Sequence, residues 1–213
     1  MKNICNILIL CALSGFANAQ LVSSNAFLKG QYIEVGIAPK GYFGTTINAP
    51  AGYHTRGGGA LGFIADPAKD GWSVGSPAFY GDYFLPGSPE EGWAIQFNGN
   101  SYNNNGAGPT EIDGSIISVT DDGTNVQAIW HGTKNGLEIT ARTYFPKNAL
   151  YFVTEVTIKN TSSSTIGNVY YMRNVDPDQE ASMGGSFTTN NSIAQQNPNS
   201  INTALVTATG IDY

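Results

Sequence analysis

Apolar and polar residues alternate with a period of two over much of the segment from Asn125 to Asp178. In the run Leu150–Asn160, apolar residues hold one set of alternate positions and polar residues the other, and the run Leu137–Phe145 repeats the pattern. This periodicity is typical of strands with one buried face. The turn-forming stretches KNG, PKN and TSSS separate the runs. We therefore predict an antiparallel meander of four strands between Asn125 and Asp178.

Shorter strand-like runs flank this segment, at 31–37, 60–65, 92–97, 115–120 and 204–208. The triplet DDG at 121–123 predicts a hairpin turn, and no ten-residue segment keeps the three-to-four-residue spacing of a helix. We expect polar connections at 20–30, 98–108 and 176–200. Strands at intervals of roughly ten residues favour an all-β domain, an antiparallel β-sandwich.

The first nineteen residues have the pattern of a secretory signal peptide. Lys2 supplies the positive charge, Ile4–Leu13 is an apolar core too short to span a membrane, and Ala17-Asn18-Ala19 fits the cleavage site. A lipid-modified Cys11 is disfavoured because the residue before it is not small. We predict cleavage after Ala19 and an exported domain of residues 20–213. A buried N-terminal strand is the alternative.

The cysteine content limits the chemistry of the mature chain, and the net charge limits its classes of partner. Cys5 and Cys11 both lie in the leader, so the mature chain would have neither disulfides nor a thiol nucleophile. The formal net charge is −6 and no basic run occurs, so we expect neither nucleic acid nor an anionic membrane as a partner. Only 12% of residues are charged, which favours an extracellular protein solubilised by neutral polar groups.

The segment Asp66–Trp93 concentrates aromatic and acidic side chains. Rings separated by small residues form stacking surfaces for sugars, and neighbouring carboxylates accept hydrogen bonds from sugar hydroxyls. We predict a ligand-binding set made of Trp72, Tyr83, Trp93, Asp82, Glu90 and Glu91. In the alternative, the aromatics pack over one end of the core and the carboxylates cap turns, because large aromatics are more often core residues.

Three acidic residues follow the last run of the meander at alternate positions: Asp176, Asp178 and Glu180. Clustered carboxylates in a loop suit calcium, so a calcium site is one hypothesis here. Turn capping and a salt bridge from Arg173 to Asp176 or Asp178 explain the same cluster. Asp66 and Asp70 form a second oxygen-rich loop without full calcium-loop spacing.

Catalytic motifs are scarce. His54 and His131 lie far apart in the sequence without a metal-ligand spacing, and no Gly-x-Ser-x-Gly elbow occurs. The acidic residues at 90, 91, 176 and 180 leave open a carboxylate pair for glycoside hydrolysis. We expect a non-catalytic protein, with a carbohydrate-active domain as the alternative.

The motifs GYFGT, LGFIADPAKDGW, GDYFLPGSPEEGW and VYYMRNVDPDQE, in this order, resemble the N-terminal β-rich module of large secreted bacterial adhesin-like surface proteins. The resemblance implies a secreted or cell-surface module with an adhesive or structural role. It also implies extracellular glycans or surface proteins as partners, and further domains of a longer chain. Because the sequence stops at Tyr213 directly after a strand-like run, we expect a truncated chain. The strand pattern also resembles the β-supersandwich of sugar-active enzymes, which keeps carbohydrate binding as the alternative function.

Overall fold

The structure, a computed structural model, describes residues 17–55, 59–73, 81–85, 91–176, 191–200 and 203–210, the last two ranges without their side chains. Within these ranges the chain forms strands and turns but no helix. The described residues therefore contain no helix that could cross a bilayer. The strands are β1 (Ala19–Val22), β2 (Asn25–Lys29), β3 (Ile33–Ile37), β4 (Phe63–Ala65), β5 (Glu91–Phe97), β6 (Asn100–Asn105), β7 (Asp113–Asp121), β8 (Asn125–Lys134), β9 (Leu137–Pro146), β10 (Val153–Asn160), β11 (Tyr170–Val175), β12 (Asn191–Ser200) and β13 (Thr203–Gly210).

The strands form antiparallel sheets with the orders β1-β2-β3-β4, β10-β9-β8-β7, β11-β5-β6 and β12-β13. Side chains from the first three sheets meet in one hydrophobic core. The predicted all-β, antiparallel sandwich is therefore confirmed.

The predicted meander is correct for three of its four strands. β8, β9 and β10 are neighbours in sequence and in space, and β7 precedes them through the predicted DDG hairpin. At the KNG turn, Asn135 and Gly136 both have positive φ, at 45° and 85°, as a two-residue hairpin of the primed type requires. The fourth strand was misplaced: β11 leaves this sheet and pairs with β5, with Tyr170 opposite Gln96.

Three predicted polar connections contain strands instead. β2 is buried at nearly every position because hydrophobic clusters cover both faces of its sheet. β6 has the sequence NSYNNN, and its Asn104 is fully buried. Its amide donates to the carbonyl of Ile112 and accepts the Ile112 N–H, which offsets the loss of water. β12 lies in the third of these segments. The polar composition of β6 led to a wrong prediction, because a strand tolerates a buried amide whose donor and acceptor both make hydrogen bonds.

The main core forms where the three sheets meet. Alternate residues of β8 and β9 point into it, including Trp130, Ile139 and Phe145, as the periodicity predicted. β5 contributes Trp93 and Ile95 from the neighbouring sheet. A smaller cluster of Phe27, Leu61 and Ile64 covers the opposite face of the first sheet, and Trp72 packs against it. The first sheet is therefore covered on both faces.

Candidate ligand-binding site

Trp93, a predicted ligand contact, lies in the main core. Its side chain is only 3% exposed and meets Trp130 edge to face, with ring centroids 5.2 Å apart. The indole Nε1 donates to the carbonyl of Lys40 at 3.2 Å. The ring faces of Trp93 contact protein, which is the arrangement that the core-packing alternative anticipated.

The Asp82 carboxylate fastens the segment 81–85 to β4. Asp82 is 4% exposed. It accepts four backbone N–H groups at 2.7–3.2 Å, from Gly62, Phe63, Phe84 and Leu85. Burial raises the pKa of Asp82, and the four N–H donors oppose that rise because they stabilise the ionised form. The oxygens proposed for sugar hydroxyls are thus occupied by the backbone.

Glu91 forms a buried ion pair with Arg173. Glu91 is 2% exposed, and its two oxygens accept from Arg173 Nε at 2.7 Å and from Nη2 at 3.0 Å. The Phe43 N–H donates to the same carboxylate at 2.6 Å, and the guanidinium carbon lies 4.3 Å from the Phe43 ring centroid. Burial alone would lower the pKa of Arg173, but Glu91 raises it above its ordinary value. Arg173 reaches Glu91 because β11 lies beside β5, while Asp178, one of the two salt-bridge partners suggested for Arg173, lies outside the described residues.

A cavity of about 290 Å³ opens beside this ion pair. Three rings form its apolar wall: Phe43 stacks on Phe84 at 5.3 Å and meets Phe152 edge to face at 5.0 Å. The remaining lining residues are Glu91, Thr154, Arg173, Asn174 and Val175. Since the two charges neutralise each other, the cavity suits a small apolar group. Sequence reasoning assigned Phe152 to a buried face but found no signal for the cavity.

Trp72 belongs to a different region from Trp93. Its indole stacks on His54 with centroids 4.3 Å apart, and the His54 Nδ1 lies 2.7 Å from the fully buried Glu34. Asp66 holds the Trp72 backbone at a φ of 66° by accepting the N–H groups of Asp70, Gly71 and Trp72. Asp66 is thus a turn-capping residue of the second oxygen-rich loop.

Tyr83 packs on the main core, with its ring 5.2 Å from that of Phe63. Trp72 packs against the smaller cluster, so the predicted aromatic residues divide between two hydrophobic clusters instead of forming one surface. Glu90 lies outside the described residues. Ligand binding at this set stays a prediction.

The calcium hypothesis is only partly covered by the structure. Asp176 directly follows β11, while Asp178 and Glu180 lie outside the described residues. In the part of the chain that is described, no group of three His, Cys, Asp or Glu side chains could hold a metal ion. Calcium binding stays a prediction.

A surface that sequence reasoning did not select lies on the outside of the β11-β5-β6 sheet. Tyr170 is 63% exposed and Met172 is 57% exposed. Together with Gln96 and Ser101 they line a groove of about 180 Å³. The alternation in VYYMRNV was the available signal, since it places Tyr170 and Met172 on one side and Tyr171 and Arg173 on the other.

Comparison with known proteins gives no relative: no family model, no curated protein and no solved structure matches the chain. The resemblance to adhesin-like surface proteins therefore stays a prediction. The function has to be inferred from the residues themselves.

Proposed function

We propose that the chain is a non-catalytic β-sandwich module of an exported or cell-surface protein, with an adhesive or structural role. The observation that carries this proposal is the internal engagement of Asp82 and Glu91. Both are buried: Asp82 fastens a loop to β4 through backbone N–H groups, and Glu91 pairs with Arg173 of the neighbouring strand and accepts the Phe43 N–H. Glycoside hydrolysis needs two carboxyl groups that reach the sugar from either side of the scissile bond. Glu91, one of the four residues considered for such a pair, is held away from that work by its internal partners, and so is the neighbouring carboxylate Asp82.

The distribution of exposed apolar side chains supports an adhesive role. Among the residues whose burial is described, most large exposed apolar side chains fall between Leu150 and Val175, on or just before β10 and β11: Leu150, Tyr151, Val153, Val169, Tyr170, Met172 and Val175. Thr154 and Val175 line the same cavity, so the two strands approach each other there. Exposed apolar groups concentrated in one region are typical of binding surfaces.

Carbohydrate binding is the second candidate function. It is favoured by an exposed tyrosine, Tyr170, opposite an exposed amide, Gln96, in the sheet register. Aromatic rings beside amide groups suit sugars, which offer both apolar C–H faces and hydroxyl rims.

A hydrolysis screen tests the non-catalytic part of the proposal. We expect the purified chain to release no product above a buffer blank from a panel of chromogenic glycosides and polysaccharides. Glu90→Gln and Asp176→Asn are the matched variants, because both positions remained candidates for a catalytic pair. Turnover that disappears in either variant, at an unchanged melting temperature, would contradict the proposal.

A bead-retention assay tests adhesion. Beads coated with the chain are expected to stay on polysaccharide-coated or cell-coated surfaces under flow. Beads coated with an unrelated β-sandwich of similar net charge serve as the control. Equal retention of the two kinds of bead contradicts adhesion and leaves the structural role.

A further inference from the structure

We propose that the outer face of the β11-β5-β6 sheet binds a neutral glycan, an inference that rests on the proposed non-catalytic, surface-exposed role. The outer face is defined by six residues: Tyr170 and Met172 of β11, Ala94 and Gln96 of β5, and Ser101 and Asn103 of β6. None of these side chains is charged, although the chain as a whole has a formal net charge of −6.

The strand register sets the six residues in two rows. Tyr170 lies opposite Gln96, which lies opposite Ser101, and the row of Met172, Ala94 and Asn103 is two residues further along. Directly paired residues project on the same face, with neighbouring strands about 4.8 Å apart. The tyrosine therefore lies in one row with an amide and a hydroxyl, each one strand spacing from the next.

The polar groups of the first row are available to a ligand. In the described part of the chain, the side chains of Gln96 and Ser101 make no hydrogen bond to protein, unlike Asn103, whose amide donates to Glu111 at 3.3 Å. An exposed amide offers both donors and an acceptor, and a hydroxyl offers one of each. Sugar hydroxyls need both kinds of partner.

The second row provides the apolar part of the surface. The small side chain of Ala94 sits between Met172 and Asn103, which leaves a shallow depression in the middle of the sheet. The groove beside it measures about 180 Å³, below the roughly 300 Å³ at which drug-sized pockets begin. A groove of this size suits one ring-sized group held against Tyr170 and Met172.

The size of the outer face favours a glycan over a protein partner. Three strands and two rows span about 10 Å by 7 Å, an area on the order of 100 Å². A stable protein–protein interface buries about 800 Å² on each side. The six residues alone are several times too small for that, and a protein partner would also have to cover their neighbours, such as Val169 and Asn174, whereas a glycan binds through one or two rings.

Affinity electrophoresis through gels containing soluble neutral polysaccharides tests the inference. The panel comprises an α-glucan, a β-glucan, a mannan and a galactan, with alginate as a polyanionic probe. We expect at least one neutral polysaccharide to retard the chain, with little dependence on salt. Tyr170→Ala should weaken that binding about tenfold, because the ring supplies the stacking contact.

Ile117→Ala is the matched control, since Ile117 is 60% exposed but lies on β7, outside both the outer face and the exposed apolar region between Leu150 and Val175. It should bind like the parent chain, and both variants should keep the parental melting temperature. Failure of every neutral polysaccharide to retard the chain overturns the inference. So does an equal loss in Ile117→Ala, or salt-sensitive binding to alginate alone.

The outcomes separate this inference from the proposed function. The glycan site is overturned, and adhesion remains, if two results occur together. No neutral polysaccharide retards the chain, and beads coated with the parent chain or with Tyr170→Ala adhere equally well. Glycoside turnover with intact binding at the outer face overturns the non-catalytic role and leaves the glycan site in place.

Discussion

The two faces of the β11-β5-β6 sheet use neighbouring residues of the same strands in opposite ways. On the inner face, Trp93 and Arg173 are paired across the strands, and each donates to a partner inside the protein. On the outer face, Tyr170 and Gln96 are also paired, and both are exposed. Residue types that indicate function therefore occur on both faces, but only the outer face leaves them accessible.

The two faces differ in the free energy that it costs a side chain to leave its contacts. A buried ion pair or indole that breaks its contacts leaves unsatisfied groups or a cavity, so the inner face has to be rigid. An exposed tyrosine or amide exchanges protein contacts for water at little cost, so the outer face is free to exchange water for a ligand. Engagement with internal partners separates structural from binding residues better than residue type does.

The largest expected effect comes from removing one aromatic ring from each face. Trp93→Ala should lower the free energy of unfolding by about 3–5 kcal/mol, because it leaves a cavity in the core. Tyr170→Ala should change it by less than about 0.5 kcal/mol, because exposed positions tolerate substitution. Urea denaturation of both variants measures the two values. Similar losses in the two variants would break the comparison between the faces.

Removing the inner-face cation should have an effect of the same order or slightly smaller. Arg173→Met leaves Glu91 buried without its partner, and such a change costs about 3–5 kcal/mol. The matched control is Arg142→Met, since Arg142 pairs with Glu155 at 3.5 Å on an exposed surface. Exposed pairs contribute about 0–1 kcal/mol.

Chemical denaturation of these two arginine variants, side by side, gives the difference. If Arg173→Met were no more destabilising than Arg142→Met, the buried pair would not be a structural element. The double variant Glu91→Leu with Arg173→Met should recover part of the loss, because it leaves no unpaired buried charge.

The smallest effect concerns acid stability. Burial by itself would raise the pKa of Asp66, but the N–H groups of Trp72, Asp70 and Gly71 outweigh it and hold that pKa below its ordinary value. A carboxylate with a lowered folded-state pKa contributes stability that is fully present above the unfolded-state pKa of about 3.9. This contribution is lost as the pH falls through the folded-state pKa.

We therefore expect the unfolding free energy of the parent chain to fall below about pH 4, and to fall less steeply in Asp66→Asn. Denaturation curves at a series of acidic pH values measure the two slopes. Identical slopes would mean that Asp66 is not ionised in its turn.

The strands of the meander were predictable because each one carries its own signal. Alternation in β8, β9 and β10 identifies the buried face, and the KNG and DDG turns fix where neighbouring strands begin. β11 alternates equally well, but alternation indicates only which side is buried. It does not name the neighbouring strand, and so the pairing of Tyr170 with Gln96 was missed.

The inner-face ion pair was out of reach of the sequence for a related reason. Glu91 and Arg173 are separated by 82 positions and neither lies in a recognisable motif. Their types suggested a ligand contact and a loop salt bridge respectively, because no local pattern distinguishes a buried carboxylate from an exposed one. Alternation from Tyr170 to Val175 does separate the two sides of β11, but it does not place that strand beside β5 and β6, so the outer face as a whole was not predictable either.

The pairing of β11 with β5 also constrains the order in which the strands of this fold can assemble. β7 to β10 close through short hairpins, so they can form while the rest of the chain is still unpaired. The pairing of Glu91 with Arg173 instead requires two residues 82 positions apart to meet. Closing a loop of that length is entropically costly and slow. In a chain delivered from its N-terminus, β5 therefore keeps an unpaired edge and an unneutralised carboxylate until β11 arrives, which makes docking of β11 a late step that commits the sandwich to its final form.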